Sequence, residues 1–222
     1  MLNFNFHLTT PRLYLSYLNP ANDTHCKFVT TLVNSPEVAK QRDPSSSVPD
    51  LEAGRKYIQD GFEKLERSGY GRYLISLRSG SHTNTETGTT ETEEEKESAL
   101  PFSQRELEHI GVVTMKLDRY PGAPTIPDVG FGLLGKYTGR GYATEAAQGL
   151  LTYFREEKGQ SAFAGYCNPD NEASKKVLSR SGFEERGMRD ISGIFGEGKV
   201  LSVLLWTMGV GEGEEELKRW GL

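Results

Sequence analysis

Between Gly135 and Glu145 the chain reads GKYTGRGYATE, with glycines at 139 and 141 between an expected strand end and a helix start. Without Cβ atoms, consecutive backbone N–H groups there can converge on one point, where the helix N-terminus also projects partial positive charge. That arrangement suits a phosphate or pyrophosphate, and Arg140 adds a cation. Alone, G-x-G equally suits a tight turn without a ligand. Gly130–Tyr137, GFGLLGKY, stops one residue short of the phosphate-loop pattern G-x-x-x-x-G-K-[S/T]. Tyrosine cannot replace the small hydroxyl that holds Mg²⁺, and Phe131, Leu133 and Leu134 read as buried strand rather than as a loop free to curl. Nucleoside triphosphate binding is not expected.

A second constellation is Asn168–Phe183, NPDNEASKKVLSRSGF, which sets Asn171 and Ser174 at another helix start after the next strand. Two adjacent parallel strands, each leading into a helix, open a cleft at their carboxyl ends where ligands bind. Taken singly, Asn168 or Asn171 serves as well as a helix cap. Cys26 and Cys167 are too few for a disulfide framework or a cysteine-based zinc site, and the four histidines show no ligand spacing. No metal is expected, and two buried or isolated thiols fit a reducing cytoplasm.

Together these segments resemble the GNAT superfamily of N-acetyltransferases, most closely its branch of ribosomal-protein N-terminal acetyltransferases. The resemblance is carried by Lys136-Tyr-Thr-Gly139-Arg-Gly141-Tyr-Ala143, then Thr144-Glu145-Ala146, Asn171-Glu-Ala-Ser174 and Ser181-Gly182-Phe183, with TTPRLYLSYL similar to that branch's first strand. It spans residues 9–208. It implies an α/β (α+β) fold of GNAT type: a mixed, twisted central sheet of six to seven strands with helices on both faces, and a splayed parallel strand pair holding acetyl-CoA.

By this resemblance the pantetheine of acetyl-CoA hydrogen-bonds along Phe131, Gly132, Leu133 and Leu134. The pyrophosphate lies on Gly139, Arg140, Gly141, Tyr142, Ala143 and Thr144, while Asn171 and Ser174 face the pantetheine and sulfur end. Lys136 stands where the family's loop has Gln or Arg. The implied reaction is direct acetyl transfer from a thioester to a primary amine, on a small molecule or a protein N-terminus. Asp128 matches a position where several family members carry a catalytic carboxylate and is the candidate base, through water. Relatives often place an acidic tyrosine in the helix after Asn171; here that helix has none, and Ser174 is the hydroxyl that remains. The tetrahedral oxyanion could be met by a backbone amide near Leu133. A non-catalytic acyl-CoA-binding or scaffold protein is the competing reading.

The elements that must position these residues follow from pattern. Leu13, Leu15 and Tyr17 alternate along a strand at Arg12–Leu18, and a helix over 23–33 is capped by Asn22 or Asp23. Pro36 opens a short turn, and 42–50 reads as loop. Leu51, Ile58, Phe62 and Leu65 make one stripe of a helix over 51–67. Strands are predicted at 73–77, 109–117, 128–134, 162–167, 183–189 and 200–207, with helices over 143–158 and 171–181. The strand–helix–strand–helix run from 128 to 181 requires parallel strands with right-handed crossovers; shorter connections elsewhere suit antiparallel pairing.

Only 36 % of the 222 residues are hydrophobic, below the usual ~45–50 %. The deficit is local: residues 79–98 contain no Val, Ile, Leu, Met, Phe, Trp, Tyr or Cys. Residues 79–108 hold 8 acids and 2 bases, so the formal net charge of −5 belongs to that segment and the remainder carries +1. It reads as a solvated, disordered insertion in a single domain over 9–208. The tail 209–222 is expected to add little beyond a short peripheral helix. A near-neutral body argues against a nucleic-acid binder. No apolar run approaches a membrane span and the N-terminus lacks a signal-peptide pattern, so a cytoplasmic protein without a membrane partner is expected. Nothing in the pattern indicates an oligomeric state.

Overall fold

Alternating apolar residues build the first strands. β1 is His7–Thr9 and β2 Leu13–Tyr17, antiparallel to each other, and β2 pairs antiparallel with β3, Gly71–Leu77. Leu13 and Leu15 are fully buried, as the period of two requires. The computed structural model describes residues 1–40, 47–78 and 99–222. Further strands are β4, His109–Lys116, β5, Asp128–Leu133, β6, Phe163–Cys167, β7, Glu184–Ser192, and β8, Val200–Met208. Hydrogen bonding orders them β1-β2-β3-β4-β5-β6-β8-β7. The sheet thus has eight strands, one more than the pattern predicts, because the three residues of β1 are too few to show alternation. β5 and β6 are parallel and register at Asp128 opposite Ala164; β6–β8 and β7–β8 are antiparallel. β7 reaches Ser192, three residues beyond the strand end expected at 189.

The chain separates into two compact units, Met1–Val112 with Gly132–Tyr142, and Val113–Phe131 with Ala143–Leu222. Neither is continuous in sequence, which is why no linker marks them. In the first unit α1, Asp23–Val33, is capped by Asn22, whose side chain accepts from the N–H of Thr24 and His25. α2 is Pro36–Ala39. The helix expected over 51–67 is two helices, α3, Leu51–Gln59, and α4, Phe62–Ser68. The break falls at Asp60-Gly61, where glycine's low helix propensity coincides with a close approach: a Cβ on Gly61 would lie 2.8 Å from Arg72 Nη1. Leu18, Cys26, Val29, Val33, Val48, Ile58 and Leu74 form this unit's core cluster.

Of the segment expected to be disordered, residues 79–98 lie outside the described residues. In its last part, 99–108, one side chain is buried. Phe102 is buried, stacked on His7 with ring centroids 4.0 Å apart and edge-on to Tyr14 at 5.3 Å. Ser103 donates to Asn5 Oδ1 through both its N–H and its hydroxyl. A single aromatic ring anchors what composition alone reads as solvated.

The first unit also encloses a histidine pair. The rings of His25 and His109 meet edge-on at 5.0 Å; His25 Nδ1 accepts from the Asn19 N–H, and His109 Nδ1 lies 2.9 Å from Ser76 Oγ. Burial lowers both from 6.5 to about 4, and the charge of His109 adds to the shift of His25. The folded state therefore binds fewer protons than the unfolded chain between these values, so stability is full above pH 6.5 and falls toward pH 4. Each pH unit of displacement is worth about 1.4 kcal/mol per ring. Chemical denaturation across that window should show the loss, and a flat profile would mean the pair titrates normally.

α5 is Tyr142–Lys158, and from Ala143 on it belongs to the second unit, where it buries the predicted stripe Ala147, Leu150, Leu151 and Phe154. α6 is Glu172–Arg180 and α7 Glu214–Arg219. The tail is more than peripheral: Leu217 is buried with Ile126, Ala162, Ala164, Leu205 and Val210, and Trp220 and Leu222 pack on the same cluster. α7 carries a single apolar residue, Leu217, and Trp220 and Leu222 lie just past its end, so no apolar stripe marks the helix in so acidic a segment. Among the described residues no helix is long and apolar enough to cross a membrane.

Candidate active site

In the first unit β5 ends at Leu133 and the chain passes through a single 3₁₀ turn, Gly135–Tyr137, held by Thr138, whose hydroxyl and N–H both donate to the Gly135 carbonyl. Gly139 and Gly141 then take left-handed backbone, with φ of 75° and 82°. A Cβ at Gly139 would meet nothing within 4 Å, and one at Gly141 would stand 3.4 Å from Arg12 Nη2. α5 starts at Tyr142, immediately after. The first N–H groups of a helix have no intrahelical acceptor, so this glycine-flanked turn offers backbone donors to an anion, and the space above Gly139 fits one. Arg12, from the start of the β2 segment, donates through Nη1 to the Arg140 carbonyl at 3.0 Å and lies over the Tyr142 ring at 4.6 Å.

Lys136 turns elsewhere. Its ammonium is 3.3 Å from Glu108 Oε1 and 4.6 Å from the Tyr137 ring centroid. Its pKa is raised, by the hydrogen bond with Tyr137 and then that with Glu108. Buried Tyr137 donates its hydroxyl to the same Glu108 oxygen. The 128–133 stretch is strand, as its apolar residues require, and cannot curl into a nucleotide loop.

The end of β5 lies tight against β4. A Cβ on Gly111 would fall 2.4 Å from the Gly132 carbonyl oxygen and 2.3 Å from Leu133 Cδ2, so the two strands approach this closely only with glycine. The Leu134 N–H donates to the Ile110 carbonyl at 3.0 Å. Successive amides of a strand alternate edges, so the Leu133 N–H faces away from β4.

The second unit holds the candidate carboxylate. Asp128 opens β5 and is buried, 5 % exposed, rather than standing at an open strand end. Its Oδ2 accepts from Arg119 Nη2. Asp118 turns the chain just before, with φ 47°, a conformation that Asp tolerates through its short polar side chain. Arg119 Nη1 donates to the Ile194 carbonyl at 2.6 Å, and its guanidinium lies 5.9 Å from the exposed Phe195 ring. Tyr166 of β6 packs between two apolar clusters; burial, and then the charge of Asp128, raises its hydroxyl so far that it stays protonated. Asn171 Oδ1 accepts from the Ser174 N–H at 3.1 Å, capping α6 and fixing Ser174 in its first turn.

The acetyltransferase (GNAT) domain family matches residues 12–184. The chain belongs to that family. Among solved structures its fold is similar to RimL, a ribosomal L7/L12 α-N-protein acetyltransferase in complex with coenzyme A, at 19 % identity over 91 % of this chain and 97 % of that one, TM-score 0.60. It is also similar to the Salmonella typhimurium acetyltransferase that modifies the N-terminal serine of 50S subunit protein L7/L12, at 18 % identity, 91 % and 98 % coverage and TM-score 0.59. The microcin C7 self-immunity acetyltransferase MccE, in complex with acetyl-CoA and AMP, aligns at 15 % identity, 89 % and 92 % coverage and TM-score 0.61. Such identities speak for the fold. No curated protein sequence matches the chain.

This GNAT protein is an acetyl-CoA-dependent N-acetyltransferase, and the scaffold alternative is not favoured. Of the residues nominated from sequence, Leu134, Lys136, Gly139, Arg140, Gly141 and Tyr142 lie together in the first unit with Gly132 and Leu133; Phe131, Asp128, Ala143, Thr144, Asn171 and Ser174 lie in the second. The Leu134 N–H is bonded to the Ile110 carbonyl of β4, and the Lys136 ammonium lies 3.3 Å from Glu108 Oε1. Sequence reasoning missed Arg12, Glu108, Arg119 and Tyr166. Arg12 and Arg119 are distant in sequence from the groups they hold or are joined to them by an irregular loop, and no periodicity reports such contacts.

Proposed function

We propose that the acceptor is a low-pKa α-amine, the N-terminus of a peptide or protein, acetylated in the cytoplasm. The observation that carries this reading is the Arg119–Asp128 ion pair, in which the guanidinium occupies Asp128 Oδ2 and the carboxylate is buried beside it. Without a ready carboxylate base, attack relies on amine already deprotonated. At pH 7 that fraction is roughly 10–20 % for an α-amine but about 0.04 % for a lysine-like amine. Two buried thiols outside any disulfide suit a reducing compartment, and RimL and the Salmonella typhimurium acetyltransferase named above act on acceptors of this chemistry with the same fold.

The cosubstrate supplies an acetyl group activated as a thioester. The left-handed glycines, with the first N–H groups of α5 (Tyr142, Ala143 and Thr144), support a pyrophosphate cradle, and Phe131 to Leu133 offer backbone to the pantetheine. The Leu133 N–H, turned away from β4, donates to the carbonyl oxygen as negative charge develops on it. Ser174, fixed by its Asn171 cap, passes its proton to the departing thiolate and regains one, through water, from the nitrogen that has attacked. Asp128 anchors Arg119 and, through the Ile194 carbonyl, the loop after β7.

The test is acetyl transfer to a peptide with a free N-terminus and no lysine, against the same peptide N-blocked and carrying one lysine. The α-amine substrate should be preferred by about 10²-fold at pH 7, and the preference should shrink as pH rises and lysine deprotonates. Equal rates at pH 7 would overturn the α-amine assignment.

A further inference from the structure

The left-handed turn at Gly139–Gly141 does not hold itself in place; a residue from the first strand segment does. Arg12 grips the two residues that flank Gly141. Its Nη1 donates to the Arg140 carbonyl at 3.0 Å, its Nη2 would stand 3.4 Å from a Cβ at Gly141, and its guanidinium lies 4.6 Å from the centroid of the Tyr142 ring. Tyr142 is itself buried as the first residue of α5. Arg12 is in turn anchored: its carbonyl accepts from the Arg78 N–H at 2.9 Å, and the next residue, Leu13, is fully buried and paired with Leu77 of β3. The grip thus connects the sheet directly to the turn.

The direction of that grip has a chemical consequence. A peptide unit is planar and trans, so its C=O and N–H point in opposite directions. No peptide here is cis among the described residues. Pinning the Arg140 carbonyl toward Arg12 therefore aims the Gly141 N–H the opposite way. This peptide turns about ψ of Arg140 and φ of Gly141, and glycine at the second position lowers the cost of that rotation, so an external hold is what fixes its orientation. Arginine can do this where lysine cannot, because its planar fork donates along one edge and stacks flat on an aromatic ring at the same time.

We propose that Arg12 is a positioning residue of the acetyl-CoA site: it sets the Arg140–Gly141 peptide so that the Gly141 N–H serves the pyrophosphate. The proposal rests on the acetyltransferase reading and adds to it a residue 128 positions from the turn it orients. It acts on the nucleotide half of the cosubstrate and not on the thioester.

Two thioesters separate these roles in the full chain: acetyl-CoA, and S-acetylpantetheine, which has the same reacting group and no pyrophosphate. In the wild-type protein kcat/KM should favour acetyl-CoA. In Arg12→Ala that advantage should shrink by about tenfold or more, through KM for acetyl-CoA, and Arg12→Lys should recover only a minor part of it. An unchanged ratio in Arg12→Ala would overturn the proposal, as would equal losses on both thioesters, the mark of general structural damage. Full recovery by Arg12→Lys would also overturn it, because a point charge would then suffice. Failure of the acetyltransferase reading looks different: the wild-type protein would transfer from neither thioester and bind no coenzyme A in a calorimetric titration.

Discussion

Replacing Arg119 by methionine, or Asp128 by asparagine, is expected to destabilise the protein by about 3–5 kcal/mol, because each change strands a buried charge or its unmatched partner. Arg119 and Asp128 side chains are only 16 % and 6 % exposed, so water cannot compensate. The double variant Arg119→Met/Asp128→Asn should regain most of the loss, since removing both charges also removes their desolvation cost. Denaturant unfolding of the four proteins closes the cycle, and a double variant no more stable than the singles would show that the pair does more than match charge. The same proteins decide the role of Asp128. If the carboxylate only anchors, the restored double variant keeps kcat/KM for an α-amine within about tenfold of wild type. If Asp128 takes the amine proton through water, the restored protein still loses ~10²–10⁴ in kcat/KM, and the deficit narrows with rising pH. That result would reinstate the carboxylate as base and remove the main support for an α-amine acceptor.

The second large effect concerns the cradle. Gly139→Val and Gly141→Val should each weaken acetyl-CoA binding by about 1–3 kcal/mol, the cost of lost amide contacts to a charged group. The two differ in cause. Nothing lies within 4 Å of a Cβ at Gly139, so its variant suffers only from a left-handed backbone at φ 75°, while Gly141→Val also presses on Arg12 Nη2 at 3.4 Å. β-Branched residues resist that backbone strongly, and relief of strain turns the peptide N–H groups away from the ligand. Titration calorimetry with coenzyme A should therefore show the larger loss for Gly141→Val. Unchanged affinity in both variants would remove the cradle from the binding site.

Much of this was legible in the one-dimensional pattern. The stripe Ala147, Leu150, Leu151, Phe154 and the alternation of Leu13 and Leu15 report burial directly, because helix and strand periods map residue spacing onto faces. Gly139 and Gly141 announce their turn because so few other residues tolerate positive φ. The parallel β5–β6 pair follows from the strand–helix–strand spacing, since a parallel partner needs a crossover of that length. The spacing of Asn171 and Ser174 likewise foretells a helix start, which the structure realises as a cap of α6.

Only the tertiary structure decided what those residues face. Asp128 reads as a strand-end carboxylate until Arg119 closes on it, and Lys136 reads as the first residue of the pyrophosphate loop, its side chain unassigned, until Glu108 meets its ammonium. Phe102 anchors the end of a polar tract on His7, and Leu217 seats an acidic tail in a core. Arg12 looks like the polar edge of a first strand, yet it orients a peptide 128 residues later. The reason is common to all five. Periodicity and composition encode local backbone preference and average burial, whereas an ion pair, a ring stack or a pinned carbonyl depends on which distant segment the folded chain brings within about 3–4 Å.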